Sequence, residues 1–436
     1  MSPLQNIRNV YRELMLIPEN ELWGVDSMVT TVMAAKLPRN TEPVCMMLLG
    51  PSGWGKTEMM RPILNWRGVG IDLDTITPKA LASGAPGGPD RSLLCKSDRR
   101  CLVIKDFTTI LSRPEIHESF FGTIRSAYDN SFTKYSGATS TSLDIRARFT
   151  LLAGMIPKVY TYLERDQDRG YRYLLVWCRR SHSDDYLTLV QDMINDKFST
   201  LTSWRDSIKT RVRSAFRTLF ATYNIGPEDP PQQDPHEPDA MFHTRVTNYQ
   251  EEYDAHVHRI VWPSVTLTPD YRSWVKSATR ILSYVRLGSG DPIQTEADMP
   301  SYSGKSERPA PFRAQKQLNT LVQMRAVADN RTSTSASDIA FCRAICRDTL
   351  PPGRILILDR IYQAQKAGSP LSLVTLPVKI QRSATYVQTV VAHLSRTGLL
   401  DIHEDTGTVE FSAGVLEDLE RSTLLEKKND LSAFEA

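Results

Sequence analysis

The stretch Leu48-Leu49-Gly50-Pro51-Ser52-Gly53-Trp54-Gly55-Lys56-Thr57 restricts the possible folds more than any other part of the chain. From Gly50 onward it satisfies G-x-x-x-x-G-K-[ST], the phosphate-loop pattern, at every position. The apolar run Val44 to Leu49 ahead of it reads as a buried strand, and Glu58-Met59-Met60-Arg61 behind it can open a helix. Strand, glycine loop and helix in that order give the pattern a mechanism. Gly50, Gly53 and Gly55 let the backbone curl so that its N–H groups face phosphate oxygens. Lys56 can reach the β- and γ-phosphates, and Thr57 can offer its hydroxyl to Mg2+. The helix N-terminus adds favourable dipole charge. Gly50, Pro51, Ser52, Gly53, Trp54, Gly55, Lys56 and Thr57 thus form a candidate nucleoside triphosphate site, with ATP and Mg2+ as the expected ligands. The bland alternative is a glycine turn between two elements.

A strand that carries such a loop needs a sheet around it, and 436 residues suffice for two or three domains. Downstream, Gly68 to Leu73 reads as a second strand, and Asp74 to Leu81 as a turn into a short helix followed by a glycine-rich loop. Cys101-Leu102-Val103-Ile104 is the next apolar run, and it ends at Lys105-Asp106-Phe107. A carboxylate at the end of a buried strand beyond a phosphate loop is the expected second metal-site element, so Asp106 joins Thr57 as a candidate Mg2+ ligand. Phe107 stands where a glutamate often follows, which leaves Glu115 or Glu118 to hold the attacking water. The alternative role for Asp106 is a strand-end cap. A helix is expected over about 114–128, then a polar loop through Gly137 and Ser142. Arg148 to Gly154 and Tyr171 to Trp177 supply two more strands. Strands alternating with helices predict an α/β fold built on a parallel sheet with both faces covered.

The segments around this core are mainly helical. Ile7, Val10, Tyr11, Leu14 and Met15, then Met28, Val32 and Met33, recur at helical spacing before the loop. Trp23 falls in the turn between those two helices, where it either approaches a base or simply packs. Residues 183–287 read as helical with a basic stretch at Lys209, Arg211, Arg213 and Arg217, interrupted by a Pro- and acid-rich loop from Gly226 to Asp239. His236, His243, His256 and His258 match no metal-site spacing, and a solvated surface is the better reading. Cys342 and Cys346 lie four apart on a helix with no second pair to complete a zinc set. Buried, reduced thiols and a cytoplasmic location are expected. No stretch reaches the roughly 20 apolar residues of a membrane span, and the start of the chain lacks a signal-peptide core.

The last hundred residues have the rhythm of a winged helix. Arg354 to Ala367, about Val374 to Ile380, and Ser383 to Thr397 are three helices, with Ser383 as an N-cap. Gly398 to His403 and Thr408 to Phe411 pair across the turn Asp405-Thr406-Gly407. The third helix offers Arg382, Thr385, Tyr386, Gln388 and Thr389 outward, a set suited to phosphate and base-edge contacts. His393 and Arg396 are further candidates for backbone contact. A module used only for protein docking is the alternative. Net charge is +3, so a nucleic-acid surface has to be a local patch.

Together, Gly50 to Thr57, Leu73 to Gly84, Leu102 to Ser112, Ile124 to Asp129 with Lys134 and Gly137, and Leu151 to Gly154 resemble the AAA+ ATPases of bacteriophages and mobile genetic elements. Pro311 to Leu318 resembles the start of the lid in minichromosome-maintenance-type helicases. The resemblance implies a P-loop NTPase sheet with a helical lid and a C-terminal winged helix. Its expected parts are an N-terminal helical segment (1–40), a nucleotide-binding core (41–182), a mainly helical insertion (183–300), a lid (301–350), the winged helix (351–415) and an acidic tail (416–436). It implies ATP hydrolysis by a homo-oligomer, ring or filament, with Lys56 and Asp106 catalytic, Arg313 sensing the γ-phosphate and Arg172 acting as an arginine finger on a neighbour's nucleotide. The polar residue expected at the end of the Phe149–Gly154 strand is replaced by Met155 or Ile156. Two functions follow. One is a DNA-directed replication helicase, helicase loader or initiator with a replication or recombination partner protein. The other is an ATP-switched regulator or adaptor in transposition, transcription or defence that binds DNA or a protein without unwinding.

Overall fold

A computed structural model describes residues 1–37, 41–74, 81, 93–113, 120, 122–124, 132–136, 141–145, 147–160, 173–178, 183–223, 238, 240–242, 244–245, 247–248, 263–285, 311–403 and 405–425. These residues form two compact units. The first comprises 1–157, 176–266 and 319–334, and the second comprises 158–175, 267–318 and 335–436.

The first unit begins with α1 (Pro3–Met15) and α2 (Trp23–Ala34). Ser2 caps α1 by accepting the Gln5 N–H at 3.1 Å, Pro3 presets the first helical φ, and Leu16 ends the helix in the left-handed region. Trp23 is the first residue of α2 rather than part of the preceding turn. The chain then enters β1 (Cys45–Leu49), passes the glycine loop, and forms α3 (Lys56–Met60) and β2 (Gly70–Leu73). After α4 (Leu93–Lys96) come β3 (Cys101–Ile104) and α5 (Thr108–Leu111). Next are β4 (Phe132–Ser136), β5 (Thr141–Ile145), β6 (Thr150–Met155) and β7 (Leu174–Trp177).

The main sheet has five strands in the order β2-β3-β6-β1-β7. Its β2–β3, β3–β6 and β6–β1 pairs are parallel, with Cys45 opposite Leu151 and Cys101 opposite Thr150. The fold is therefore α/β on a parallel sheet, as the alternation of strands and helices predicts. The physical reason lies in composition: β1, β3 and β6 are buried at every residue, which only a sheet covered on both faces requires. Of the polar loop expected through Gly137 and Ser142, Ser142 lies instead on β5, which pairs antiparallel with β4 from Phe132 opposite Ile145 to Ser136 opposite Thr141, and Gly137 lies outside the described residues. Thr133, Tyr135, Thr141 and Leu143 have strand propensity, and antiparallel pairing outweighs the polarity of the segment. The helix expected over 114–128 is described at Phe120 and 122–124.

The mainly helical insertion, 183–300, begins with α6 (Asp184–Lys197) and α7 (Leu201–Thr222). Every described residue of α6 remains at least partly exposed, including Leu187, Leu189 and Ile194. By contrast α7 buries Ile208, Val212, Ala215, Phe216, Leu219 and Phe220, and it packs along α1. His236, His243, His256 and His258 lie outside the described residues.

The second unit holds α8 (Pro269–Val285) and the first part of α9 (Phe312–Ala328), whose continuation from Asn319 belongs to the first unit. Then follow α10 (Ala336–Thr349), α11 (Pro352–Lys366), β8 (Leu371–Ser372), α12 (Thr375–Ile380) and α13 (Ala384–Arg396). The hairpin β9 (Leu400–His403) and β10 (Thr408–Phe411) and the closing α14 (Ala413–Ser422) complete it. Asp338 accepts the Ser335 N–H at 2.8 Å, the return half of a capping box that starts α10. Trp274 on α8 donates to the Ser422 carbonyl at 2.7 Å, and Ser277 donates to Asp418 at 2.7 Å, which fixes α14 against α8. The three helices and hairpin fall where their sequence pattern puts them, and β8 joins β10 as a third strand. Cys342 and Cys346 are buried free thiols.

Candidate phosphate-binding site

The carboxyl ends of four strands meet around the glycine loop through main-chain hydrogen bonds. Gly50 N–H donates to the Met155 carbonyl at 3.2 Å, Cys178 N–H to Leu49 at 2.8 Å, and Phe107 N–H to Gly154 at 2.9 Å. A β-carbon on Gly154 would sit 2.5 Å from the Lys105 carbonyl oxygen, so only glycine lets these strand ends approach. This is the edge of an open α/β sheet where ligands are generally received.

Within the loop, Gly53 and Gly55 have φ of 82° and 75°, the left-handed region that glycine enters without strain. Gly50 is not among the positive-φ residues, so its place in the motif rests on something other than the curl. A β-carbon on Gly53 would meet nothing within 4 Å, and Ser52 and Gly53 are exposed. The loop therefore presents an open backbone face, the shape an anion cradle requires.

Lys56 Nζ donates to the carbonyls of Gly50 at 2.6 Å and Pro51 at 2.7 Å, which holds the ammonium across the loop. Burial pulls its pKa below the ordinary lysine value, while Cys178 and then Asp106 act in the opposite direction. Asp106, just beyond β3, thus acts electrostatically on Lys56, the first residue of α3. Asp106 is exposed, and its Oδ1 accepts the Thr108 N–H at 3.0 Å while its carbonyl accepts the Thr109 hydroxyl at 2.9 Å. One carboxylate oxygen hence caps the first turn of α5, the structural role weighed against metal binding. The neighbouring Lys105 turns to β2, where Asp74 at 2.6 Å and Asp72 at 3.4 Å receive it. The Asp74 hydrogen bond is the main reason its pKa is raised.

Glu58, directly after Thr57, is a further residue of the site that the loop pattern does not mark. Arg61 reaches its carboxylate with Nε at 2.6 Å and Nη2 at 2.9 Å, and Arg205 on α7 does so with Nε at 3.1 Å and Nη2 at 2.5 Å. Burial would raise the Glu58 pKa, but the hydrogen bonds from Arg61 and Arg205 outweigh it and the net shift is downward. A depressed carboxylate pKa gives stability that is present above the unfolded value and is lost as pH falls through the folded one. The signal in sequence was a Glu–Arg pair three apart; the second arginine lies 147 positions away.

A second network sits on α2. Asp26, fully buried, receives Arg8 Nε at 2.7 Å and Arg325 Nε at 2.9 Å. The guanidinium carbons of Arg8 and Arg325 lie 6.0 and 5.7 Å from the Trp23 ring centroid. Trp23 is half-buried beside these two guanidinium groups.

Arg172, Glu115 and Glu118 lie outside the described residues, and Arg313, in the first turn of α9, belongs to the second unit. Arg382, just before α13, and Thr385, Tyr386 and Gln388 on it are exposed, whereas Thr389 is half-buried and donates its hydroxyl to the Thr385 carbonyl at 2.8 Å. The Tyr386 hydroxyl rests against Gly353 of α11, and the residue as a whole stays exposed. His393 is buried and does not face outward, because its position shares the inner face with Val390 and Leu394. Compared with known proteins, the sequence matches no family model and no curated relative. Among the described residues no helix is long and apolar enough to cross a membrane, and no group of three His, Cys, Asp or Glu side chains is arranged to hold a metal ion.

Proposed function

We propose that this chain is a cytoplasmic, ATP-binding and ATP-hydrolysing protein of AAA+ type that works on DNA as a homo-oligomer, as a replication helicase, helicase loader or initiator of a phage or mobile element. The observation that carries the nucleotide half is the open loop at the carboxyl end of β1, with Gly53 and Gly55 left-handed and Lys56 held across it. Backbone N–H groups of such a loop match phosphate oxygens, and the ammonium matches their charge. The donor set also suits Mg2+, which takes one or two protein oxygens alongside phosphates and water: the Thr57 hydroxyl and the Asp106 carboxylate are hard oxygen ligands. A bound Mg2+ would neutralise charge on the phosphates. In this reading Lys56 would hold the triphosphate, Thr57 and Asp106 would hold the Mg2+, and Arg313 and Arg172 are the candidate sensor arginine and arginine finger.

The DNA half rests on a winged-helix reading of α11 to β10, with Arg382, Thr385 and Gln388 exposed on or beside α13. Tyr386 and Thr389 contribute less, given the contacts they make within the unit. The test is ATP turnover with and without single- and double-stranded DNA, together with strand displacement on a forked duplex. Stimulation with unwinding supports the motor. Indifference to DNA contradicts the DNA assignment.

One observation favours the second reading, an ATP-switched regulator or adaptor. Asp106 spends one oxygen on Thr108, and β6 ends in the apolar Met155 where a water-orienting polar group would stand. Slow hydrolysis with DNA binding but no unwinding is its signature.

A further inference from the structure

The helix that follows the phosphate loop is too short to hold itself. It spans only Lys56–Met60, and Pro62 cannot supply the N–H that would extend it. Beyond it the chain continues in tighter turns, with Ile63 N–H on the Met60 carbonyl at 2.9 Å and Leu64 N–H on Arg61 at 3.2 Å. The residues that handle phosphate, Lys56 and Thr57, are the first two of this fragment.

Three side chains from outside the fragment fasten it. Tyr11 of α1 donates its hydroxyl to the Met59 carbonyl at 2.6 Å. Arg205 of α7 forks onto both oxygens of Glu58, the residue after Thr57. Arg213, two turns further along α7, donates to the carbonyls of Pro62 at 2.7 Å and Leu64 at 3.0 Å, and its guanidinium carbon lies 5.0 Å from the Trp66 ring centroid. Trp66 in turn packs against Phe216 and Phe220 of α7, with centroids 5.8 and 6.3 Å away. Thus α7 meets the fragment at both of its ends. The two arginines use a planar fork, which fixes direction as well as distance and which a lysine reproduces only in charge.

We propose that α7 is the positioning element of the triphosphate site, with Arg205 acting through Glu58 to fix the register of Lys56 and Thr57 and Arg213 clamping the far end. Neither arginine touches the loop itself. The inference rests on the nucleotide reading above and assigns a task to a helix of the 183–300 insertion. It also makes α7 the route by which a displacement of this helix would change affinity for phosphate.

The experiment measures ATP·Mg2+ and tripolyphosphate dissociation constants by calorimetry on the full chain, beside thermal unfolding without ligand. The variants are Arg205→Ala, Arg205→Lys, Glu58→Gln and the double variant Glu58→Gln/Arg205→Ala. Arg205→Ala is expected to weaken both ligands by about tenfold, as loss of a charge-assisted fork does. Arg205→Lys should recover part of that loss, and the double variant should be no worse than the poorer single one, because the two groups act as a pair. Equal weakening of ATP and tripolyphosphate locates the effect at the phosphates rather than the base. Affinities within twofold of the unaltered chain for Arg205→Ala, or additive losses in the double variant, overturn the proposal. If Arg205→Ala does not fold, Glu58→Gln and Arg205→Lys carry the same decision. Failure of the unaltered chain to bind either ligand would instead remove the nucleotide reading on which the inference stands.

Discussion

The two halves of the candidate site are built differently. The loop half, Gly50 to Leu64, is fixed from several directions: two left-handed glycines, Lys56 on two carbonyls, Tyr11 on Met59, and two arginines of α7. The strand-end half is a single exposed carboxylate, Asp106, with one oxygen already engaged in capping α5. Pre-organised groups bind a ligand with little further ordering cost, whereas catalysis demands groups aimed at what changes in the transition state. A chain with the first and little of the second should grip a triphosphate better than it cleaves it.

Replacing Asp106 by Ala sharpens that contrast most. Turnover should fall by about 100-fold or more while the ATP dissociation constant moves by no more than a few-fold, since a catalytic carboxylate acts mainly on the chemical step. Steady-state rates beside calorimetric binding separate the two. A smaller, more local effect distinguishes the loop glycines. Gly53→Ala places a β-carbon at φ 82° and should cost about 1–2 kcal/mol, roughly tenfold in ATP affinity. Gly50→Ala, with its nearest neighbour 3.5 Å from the new carbon and no positive φ, should cost less. Equal losses at the two positions would break the account of the curl.

Next in size is a pH effect. Burial lowers the Lys56 pKa in the free protein, and a bound polyphosphate raises it again. Binding then takes up a proton once the pH exceeds the free-state value, so ATP affinity should decline through the alkaline range below the ordinary lysine pKa of 10.5. Affinity that stays flat or rises over that range contradicts the placement of the ammonium. The smallest effect belongs to the second unit. Arg382→Ala should weaken DNA binding by a few-fold and reduce the salt slope by about one, as expected for one lost phosphate contact.

How much of this was legible depended on whether the signal was local. The loop from Gly50 to Thr57 is contiguous, and the buried strands β1, β3 and β6 are unbroken apolar runs, so site position and parallel sheet could be read directly. Ser383 and Gly407 mark a helix start and a turn through their own chemistry. The capping use of Asp106 was harder, because it depends on the backbone of Thr108 rather than on any partner side chain. The β4–β5 hairpin was hidden because its residues are mostly polar and show no apolar run, so only the backbone pairing reveals the strands. The clamp by Arg205 and Arg213 was out of reach: each arginine sits on an ordinary amphipathic helix, and its target lies some 150 positions earlier. Long-range ion pairs leave no periodicity to read.

The central claim is that Gly50 to Thr57 hold a nucleoside triphosphate through Lys56. Its most direct test is calorimetric titration of ATP·Mg2+ into the unaltered chain and into Lys56→Ala, with unfolding curves to establish that both are folded. The account predicts saturable binding by the first and at least a hundredfold weaker binding by the second, since both the charge and its charge-assisted hydrogen bonds to phosphate are lost. Equal binding by two folded proteins would contradict it.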